Sequence, residues 1–352
     1  MTAGVLVWLL GSTLGLQEPG QDLMRYEFAE THMGSEFKVI LYSSSATAAR
    51  RASLAAYERI AALDSALSDY QPESELSRLS AGSGGPAVKV SEDLFHILQR
   101  SKAMYERSGG AFDVTVGPVV RLWRRSRRER KLPAPETLEH ALSLVSSKLM
   151  ILDERTRSVR LMRSGMRLDL GGIAKGYASE EGVKVLRREG HPRCLVAGAG
   201  DIVVGDAPPG RKGWIIAIAP LEPNAEGANM EGLVELRNQA ISTSGDTERF
   251  VEIDGKRYSH IVDAKTGLGF VDRCTVTVVA QDGGMADALD TAVYAMGPER
   301  GLAIVEGTPG AAAFVARATK EGRKTYETSG FRALTRPGPH GATKSDAKAS
   351  SR

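Results

Sequence analysis

The sequence is short of the features that would set it apart from ordinary globular proteins. Among its 352 residues there are only two cysteines, Cys194 and Cys274. They lie far apart and fit no metal-ligand spacing, and the chain alone does not say whether they pair. An excess of one charge is also lacking, since a formal net charge of +3 is too small to call for a nucleic-acid partner. No apolar run is long enough to span a bilayer. The nearest approach, residues 4–16, has the length of the apolar region of a signal peptide and is followed by Gln-Glu-Pro-Gly. No Lys or Arg precedes it, no clear small-x-small cleavage site follows it, and no cysteine stands where a lipid-anchored precursor needs one. Residues 1–20 are read as a signal peptide, which implies export to the periplasm or cell envelope; without signal function the protein would be cytoplasmic. A Gly-x-Ser-x-Gly elbow is absent, so an α/β-hydrolase triad is not supported. No P-loop spacing occurs, neither cysteine sits in a nucleophile motif, and no internal repeat stands out.

What is present suits a substantial core: 42% hydrophobic and 25% charged residues over a chain long enough for one large domain or two lobes. Residues 24–43 alternate as a strand pair broken at Met33-Gly-Ser35, and residues 46–69 form an Ala-rich helix. A second helix over 91–108 ends at Gly109-Gly110. The pattern predicts a strand over 166–170 leading through Gly171-Gly172 into a helix that ends near Gly190. Strands follow at 213–219, 232–242, 250–253, 256–262, 274–280 and 311–318, with Asp254-Gly255 as a hairpin signal. Hairpins mixed with helices give an α+β class: mixed, largely antiparallel sheets with flanking helices. Residues 21–335 are assigned to the domain, and the tail 336–352, without apolar periodicity, to disorder.

The stretch Ala286-Asp-Ala-Leu-Asp-Thr-Ala292 lies in a segment that reads as helix. At about 100° per residue, Asp287, Asp290, Thr291 and Tyr294 share one narrow stripe while every other direction is apolar or small. Carrying two carboxylates inward is costly unless a cation meets them. Two carboxylates and a hydroxyl, with no His or Cys nearby, suit a hard cation such as Mg2+. The alternative is an acidic stripe that faces solvent or pairs with Lys or Arg.

Asp169-Leu-Gly-Gly-Ile-Ala-Lys-Gly-Tyr-Ala178 joins a carboxylate at a strand end, two glycines, a helix start with free N–H groups, and Lys175 in its first turn. It reads as an anion site suited to phosphate, or else as a tight turn with an exposed lysine. Gly198-Ala-Gly-Asp-Ile-Val-Val-Gly205 is not a dinucleotide motif, because the third glycine is misplaced and strand continues where a helix should open. His260 is placed on a strand before an Asp/Thr/Gly turn, where a lone histidine is more often structural. The basic run from Arg121 to Lys131, interrupted only by Trp123 among bulky apolar residues after Leu122, is read as a solvated face rather than a phosphate or acidic-partner patch.

Seven motifs occur in order: Met33-Gly-Ser, Ser68-Asp-Tyr-Gln-Pro-Glu-Ser-Glu-Leu-Ser, Gly110-Ala-Phe-Asp-Val-Thr-Val-Gly-Pro, the Asp169 turn, Ala240-Ile-Ser-Thr-Ser-Gly-Asp, Tyr258-Ser-His-Ile-Val-Asp and the Asp287 helix. Together they resemble the ApbE family of FAD:protein FMN transferases, over about residues 25–317. The resemblance implies two interleaved lobes with the flavin site between them, and a Mg2+-dependent enzyme. It would split the pyrophosphate of FAD, attach FMN to a Thr or Ser of a client protein and release AMP. A FAD pyrophosphatase and a non-catalytic flavin-binding protein are the alternatives. By the same resemblance the flavin is cradled by Met33, Tyr70, Ala111, Phe112, Asp113, Asp169, Lys175 and Ile261. The metal is held by Asp287, Asp290, Thr291 and a backbone oxygen near Gly172, and His260 is nominated as the base. Clients would be membrane redox-pump subunits or extracytoplasmic flavoproteins, with no nucleic acid involved. Membrane association would come only through clients or an uncleaved N-terminus. Ser35 and Ala264 stand where the family commonly has Thr and Pro, and Ala197 and Ala199 lie in a segment where Asn and a second Gly are common.

Overall fold

The computed structural model describes residues 23–221, 230–245 and 250–336. The chain opens with a hairpin, β1 (Met24–His32) and β2 (Ser35–Ser43), followed by α1 (Ala46–Leu67), α2 (Glu75–Ala81), the two-residue β3 (Val88–Lys89) and α3 (Glu92–Arg107). Next come α4 (Gly117–Glu129), α5 (Pro135–Leu142), the hairpin β4 (Met150–Asp153) and β5 (Ser158–Leu161), and α6 (Ala174–Arg188). The second half holds β6 (Cys194–Gly198), β7 (Asp201–Val204), β8 (Trp214–Ile218), β9 (Gly232–Leu236) and β10 (Ala240–Gly245). After these stand the hairpin β11 (Phe250–Ile253) and β12 (Lys256–Ser259), β13 (Cys274–Ala280), α7 (Gly283–Met296) and α8 (Pro298–Glu306). The hairpin β14 (Ala312–Thr319) and β15 (Gly322–Glu327), then α9 (Phe331–Leu334) and β16 (Thr335–Arg336), complete the described chain.

Eight strands form one sheet in the order β1-β2-β6-β7-β10-β13-β14-β15, with every neighbouring pair antiparallel. Its central strands are buried because both faces are covered, and the polar residues they carry, Asp201 on β7 and Ser242 on β10, are buried with them. Helices α1, α6 and α7 bury one face, through Ile60, Leu63, Ala178, Leu186, Leu289 and Val293 among others. The small sheet β16-β9-β8 covers the other, with Trp214, Ile216, Val234 and Leu236 meeting Ile40, Leu195, Ile241 and Val279. A third cluster joins Trp123 of α4 to Val251, Ile253 and Tyr258 of the β11–β12 hairpin. The two halves of the chain are therefore interleaved, and the α+β class holds. Among the described residues no helix is long and apolar enough to cross a membrane.

Four local expectations change. Residues 166–170 form no strand; the segment is extended and makes a single parallel bridge, Arg167 to Val116, with the Asp169 amide donating to the Val114 carbonyl at 2.8 Å. Residues 232–242 are two strands in two different sheets, not one. The chain breaks at Asn238, whose φ of 53° is left-handed and whose amide donates to the Gly205 carbonyl at 3.0 Å. Strand β12 stops at Ser259, so His260 lies on the bend beyond it. Arg336, assigned to the tail, ends β16 opposite Leu233. The signal-peptide assignment, Asp246 and residues 337–352 lie outside the described residues.

Candidate active site

Helix α7 is apolar in almost every direction, so it is buried whole and takes its acidic stripe with it: Asp287 is 3% exposed and Asp290 0%. Two glycines set how closely it approaches α6. A Cβ on Gly176 would stand 2.2 Å from the Gly283 carbonyl oxygen, and one on Gly283 would stand 2.1 Å from that of Gly176. This backbone contact puts Asp287 Oδ2 3.0 Å from the Gly176 amide, which donates to it, with the Lys175 amide as a second donor. The Asp287 carboxylate thus caps α6 from the neighbouring helix. The amides of Ala174 and Tyr177 are bonded to the carbonyls of Leu170 and Ile173. The expectation of free N–H groups at this helix start is therefore corrected, because Asp287 and the local turn take the donors of these residues.

Asp290 faces β10, where Ser242 and Ser244, two apart on one face of the strand, donate to it at 2.6 and 2.8 Å. Thr291 Oγ1 donates to Asp290 Oδ1 at 3.3 Å. Gly172 lies directly against Thr291, since a Cβ there would come within 2.9 Å of the hydroxyl oxygen. Lys175 Nζ reaches Asp201 Oδ2 at 2.6 Å, and Ser242 Oγ is within hydrogen-bond distance of Asp201 as well as of Asp290. Asp201 opens β7 and is 3% exposed. The structure thus gathers Gly172, Lys175, Asp287, Asp290 and Thr291, as expected, and adds Asp201, Ser242 and Ser244.

The electrostatics follow from three buried carboxylates facing one ammonium. Burial pushes Asp287 up to about 7, aided by Asp201, while Lys175 and the two amides pull it back. Burial, then Asp287 and Asp201, hold Asp290 well above the usual carboxylate range. Burial would lower Lys175, but the charges of Asp201, Asp287 and Asp290 outweigh it and raise it. Among the described residues no three His, Cys, Asp or Glu side chains form a ready metal cage. The residues that could hold a cation are Asp287, Asp290, the Thr291 hydroxyl and the Gly172 carbonyl, an all-oxygen set.

Asp169 receives the Gly171 amide at 2.8 Å on one oxygen and Arg124 at 2.9 Å on the other. Burial and then Asp69 raise it to about 6, against the pull of Arg124 and Gly171. Arg124 also donates to Asp69 at 2.5 Å and lies 4.0 Å above the ring of Tyr70, which is exposed. The basic run is thus a helix whose Arg121, Arg125 and Arg128 are exposed, as expected of a solvated face, while Arg124 turns into the site.

The other expected residues sit on separate segments, with their bonds to near neighbours. Met33, at φ 50° in the β1–β2 turn, donates its amide to Asp64 at 2.9 Å. Ala111 is half-buried and Phe112 is in the main core. Asp113 accepts from the amides and hydroxyls of Thr115 and Ser147 at 2.7 to 3.0 Å, so its carboxylate ties that loop together. Ile261 donates its amide to Ser259 Oγ at 3.1 Å. His260, half-buried, follows Ser259, whose carbonyl accepts the Trp123 indole N–H at 3.0 Å. Cys194 and Cys274 are both buried, and no disulfide joins them.

Residues 33–315 match the model of the ApbE family. A Treponema pallidum protein named FAD:protein FMN transferase is 32% identical over 325 residues, covering 87% of this chain and 88% of that one. One of the same name from Klebsiella pneumoniae is 31% identical over 280 residues, 79% of this chain and 84% of that one. Among solved structures, the flavin transferase ApbE of Vibrio cholerae superposes with a TM-score of 0.78 at 26% identity, covering 89% of this chain and 99% of that one. The fold, the ordered motifs and the extent of these matches agree: the chain belongs to the ApbE family.

Proposed function

We propose that this protein is a Mg2+-dependent FAD:protein FMN transferase. It would cleave the FAD pyrophosphate, attach FMN through a phosphoester to a Thr or Ser of a client flavoprotein, and release AMP. The observation that carries the reading is the buried set of Asp201, Asp287 and Asp290 against the single Lys175, beside Thr291 and the Gly172 turn. With one ammonium facing three carboxylates, burial and mutual repulsion disfavour ionising all three, and a divalent cation would stabilise their ionised forms. Mg2+ takes one or two carboxylates and completes its shell with water and substrate phosphate oxygens, which fits a site without a ready cage. When bound, it would offset the charge of the pyrophosphate and of the departing AMP. The activity named for the Treponema and Klebsiella relatives points the same way.

The chain's own groups supply the rest. Lys175 spends one of its three N–H donors on Asp201 and keeps two for phosphate oxygens. Asp201 fixes where that ammonium points. Met33, Tyr70, Ala111, Phe112, Asp113, Asp169 and Ile261 would surround the flavin. His260 would accept the client hydroxyl proton as its oxygen attacks the FMN phosphorus. The P–O bond to AMP breaks, and the AMP oxygen leaves with the electron pair. Clients would be membrane redox-pump subunits or extracytoplasmic flavoproteins, with the enzyme at the cell envelope.

The test is to incubate protein, FAD and a client carrying an acceptor Thr, with Mg2+ or with EDTA. The expected result is a client heavier by one FMN, only with Mg2+, and AMP in equal amount. AMP release without client labelling would make it a pyrophosphatase, and FAD bound unchanged would remove the enzyme reading.

A further inference from the structure

Seven basic side chains crowd α4 and the two residues after it, and one of them, Arg124, is tied to residues expected at the flavin. Val119, Trp123 and Ser126 are the buried face of α4, and Arg121, Arg125 and Arg128 point to solvent. Arg124 lies between these faces. Its guanidinium donates to Asp69 at 2.5 Å and to Asp169 at 2.9 Å, and its Cζ lies over the Tyr70 ring, 4.0 Å from the centroid. One side chain thus joins the loop carrying Tyr70 to the turn carrying Asp169. Tyr70 remains 74% exposed, so the side of its ring away from Arg124 is open. Each oxygen of Asp169 accepts a single bond and keeps a lone pair for a ring N–H.

We propose that Arg124 is a positioning residue for the flavin half of FAD, holding Tyr70 as a stacking platform and Asp169 as an acceptor before the substrate arrives. The proposal rests on the flavin reading above. Its physical basis is preorganisation: an exposed tyrosine on a loop otherwise samples several rotamers, and fixing it beforehand removes that entropy from the cost of binding. A guanidinium can do this where an ammonium cannot, because a planar fork meets two carboxylates and stacks on an aromatic face at once. The loop does not need Arg124 to close. Ser74 Oγ donates to the Ser68 carbonyl at 2.5 Å, the Ser74 amide to the Gln71 carbonyl at 3.1 Å, and the Tyr70 amide to Ser68 Oγ at 3.3 Å. Removing Arg124 should therefore loosen the platform without unfolding the loop.

The test measures FAD affinity by flavin fluorescence, together with KM and kcat for FMN transfer and the melting temperature, in wild type, Arg124→Ala and Arg124→Lys. The expected result is a Kd and KM for FAD raised about tenfold in Arg124→Ala, with kcat within about twofold and an unchanged melting temperature. Arg124→Lys should recover little of the loss, since its single ammonium cannot stack and bridge together. Because Arg124 acts through Tyr70, adding Arg124→Ala to Tyr70→Ala should cost much less than it does alone. Wild-type affinity in both Arg124 variants would overturn the proposal, as would full additivity with Tyr70→Ala or a weakened affinity explained by a matching fall in melting temperature. If wild type itself binds no FAD, the flavin reading falls and this proposal with it; a failure confined to the variants leaves that reading intact.

Discussion

Replacing Asp287 separates its two roles, as a cap on α6 and as a buried negative charge. Asp287→Asn keeps an oxygen that can accept the Gly176 and Lys175 amides and removes the charge. Asp287→Ala removes both, and loss of the cap should cost about 1 kcal/mol relative to Asn. In the metal-free protein burial and Asp201 raise Asp287 to about 7, so folding favours its protonated form. A carboxyl whose folded value is raised contributes full stability below its ordinary value near 4, and that stability is lost as pH climbs through 7. The loss above pH 7 is on the order of a few kcal/mol. Metal-free Asp287→Asn should therefore melt roughly 5 °C higher than wild type at pH 8 and close to it at pH 5. Mg2+ should raise the melting temperature of wild type at pH 8 and hardly that of the variant, and Mg2+-dependent FAD cleavage should fall at least about a hundredfold. Scanning calorimetry at the two pH values, with and without Mg2+, gives the first results, and AMP release gives the last. Full activity in Asp287→Asn, or no stability gain at pH 8, would refute the reasoning.

Other substitutions probe the frame around the site. Gly176→Ala would drive a methyl to 2.2 Å from the Gly283 carbonyl oxygen, forcing α6 and α7 apart; it should destabilise by about 2 kcal/mol or more in urea titrations and abolish transfer. Ala199→Gly should stabilise by about 1 kcal/mol in the same titrations, because Ala199 holds a left-handed φ of 56° in the turn before Asp201. His260→Ala should lower kcat for FMN transfer about a hundredfold and leave FAD affinity unchanged; wild-type kcat would remove His260 as the base.

The acidic stripe was legible because nothing else on its helix is polar enough to compete, so a buried helix had to carry it inward. Asp201 was hidden by its neighbours: Gly198-Ala-Gly invites comparison with a dinucleotide loop, and rejecting that loop leaves the carboxylate unexplained. The available signal was one acid opening the otherwise apolar strand Asp201-Ile-Val-Val. Arg124 was masked by the charge around it, since periodicity cannot say which of several adjacent arginines turns inward once a helix is largely solvated. The break at Asn238 was missed because apolar alternation resumes on both sides of it. Its polar triplet Arg237-Asn238-Gln239, with an asparagine that tolerates left-handed backbone, marked the turn. The free donors expected at the start of α6 were wrong for a tertiary reason: Asp287, 111 positions away, accepts from one of them.

The most direct measurement is a crystal structure of the protein soaked with Mn2+ and FAD, using anomalous scattering to locate the ion in place of Mg2+. The expected result is a single peak bounded by Asp287, Asp290, the Thr291 hydroxyl and the Gly172 carbonyl, on the pyrophosphate side of Lys175. A peak elsewhere, or FAD bound at this site with no ion beside it, would contradict the assignment.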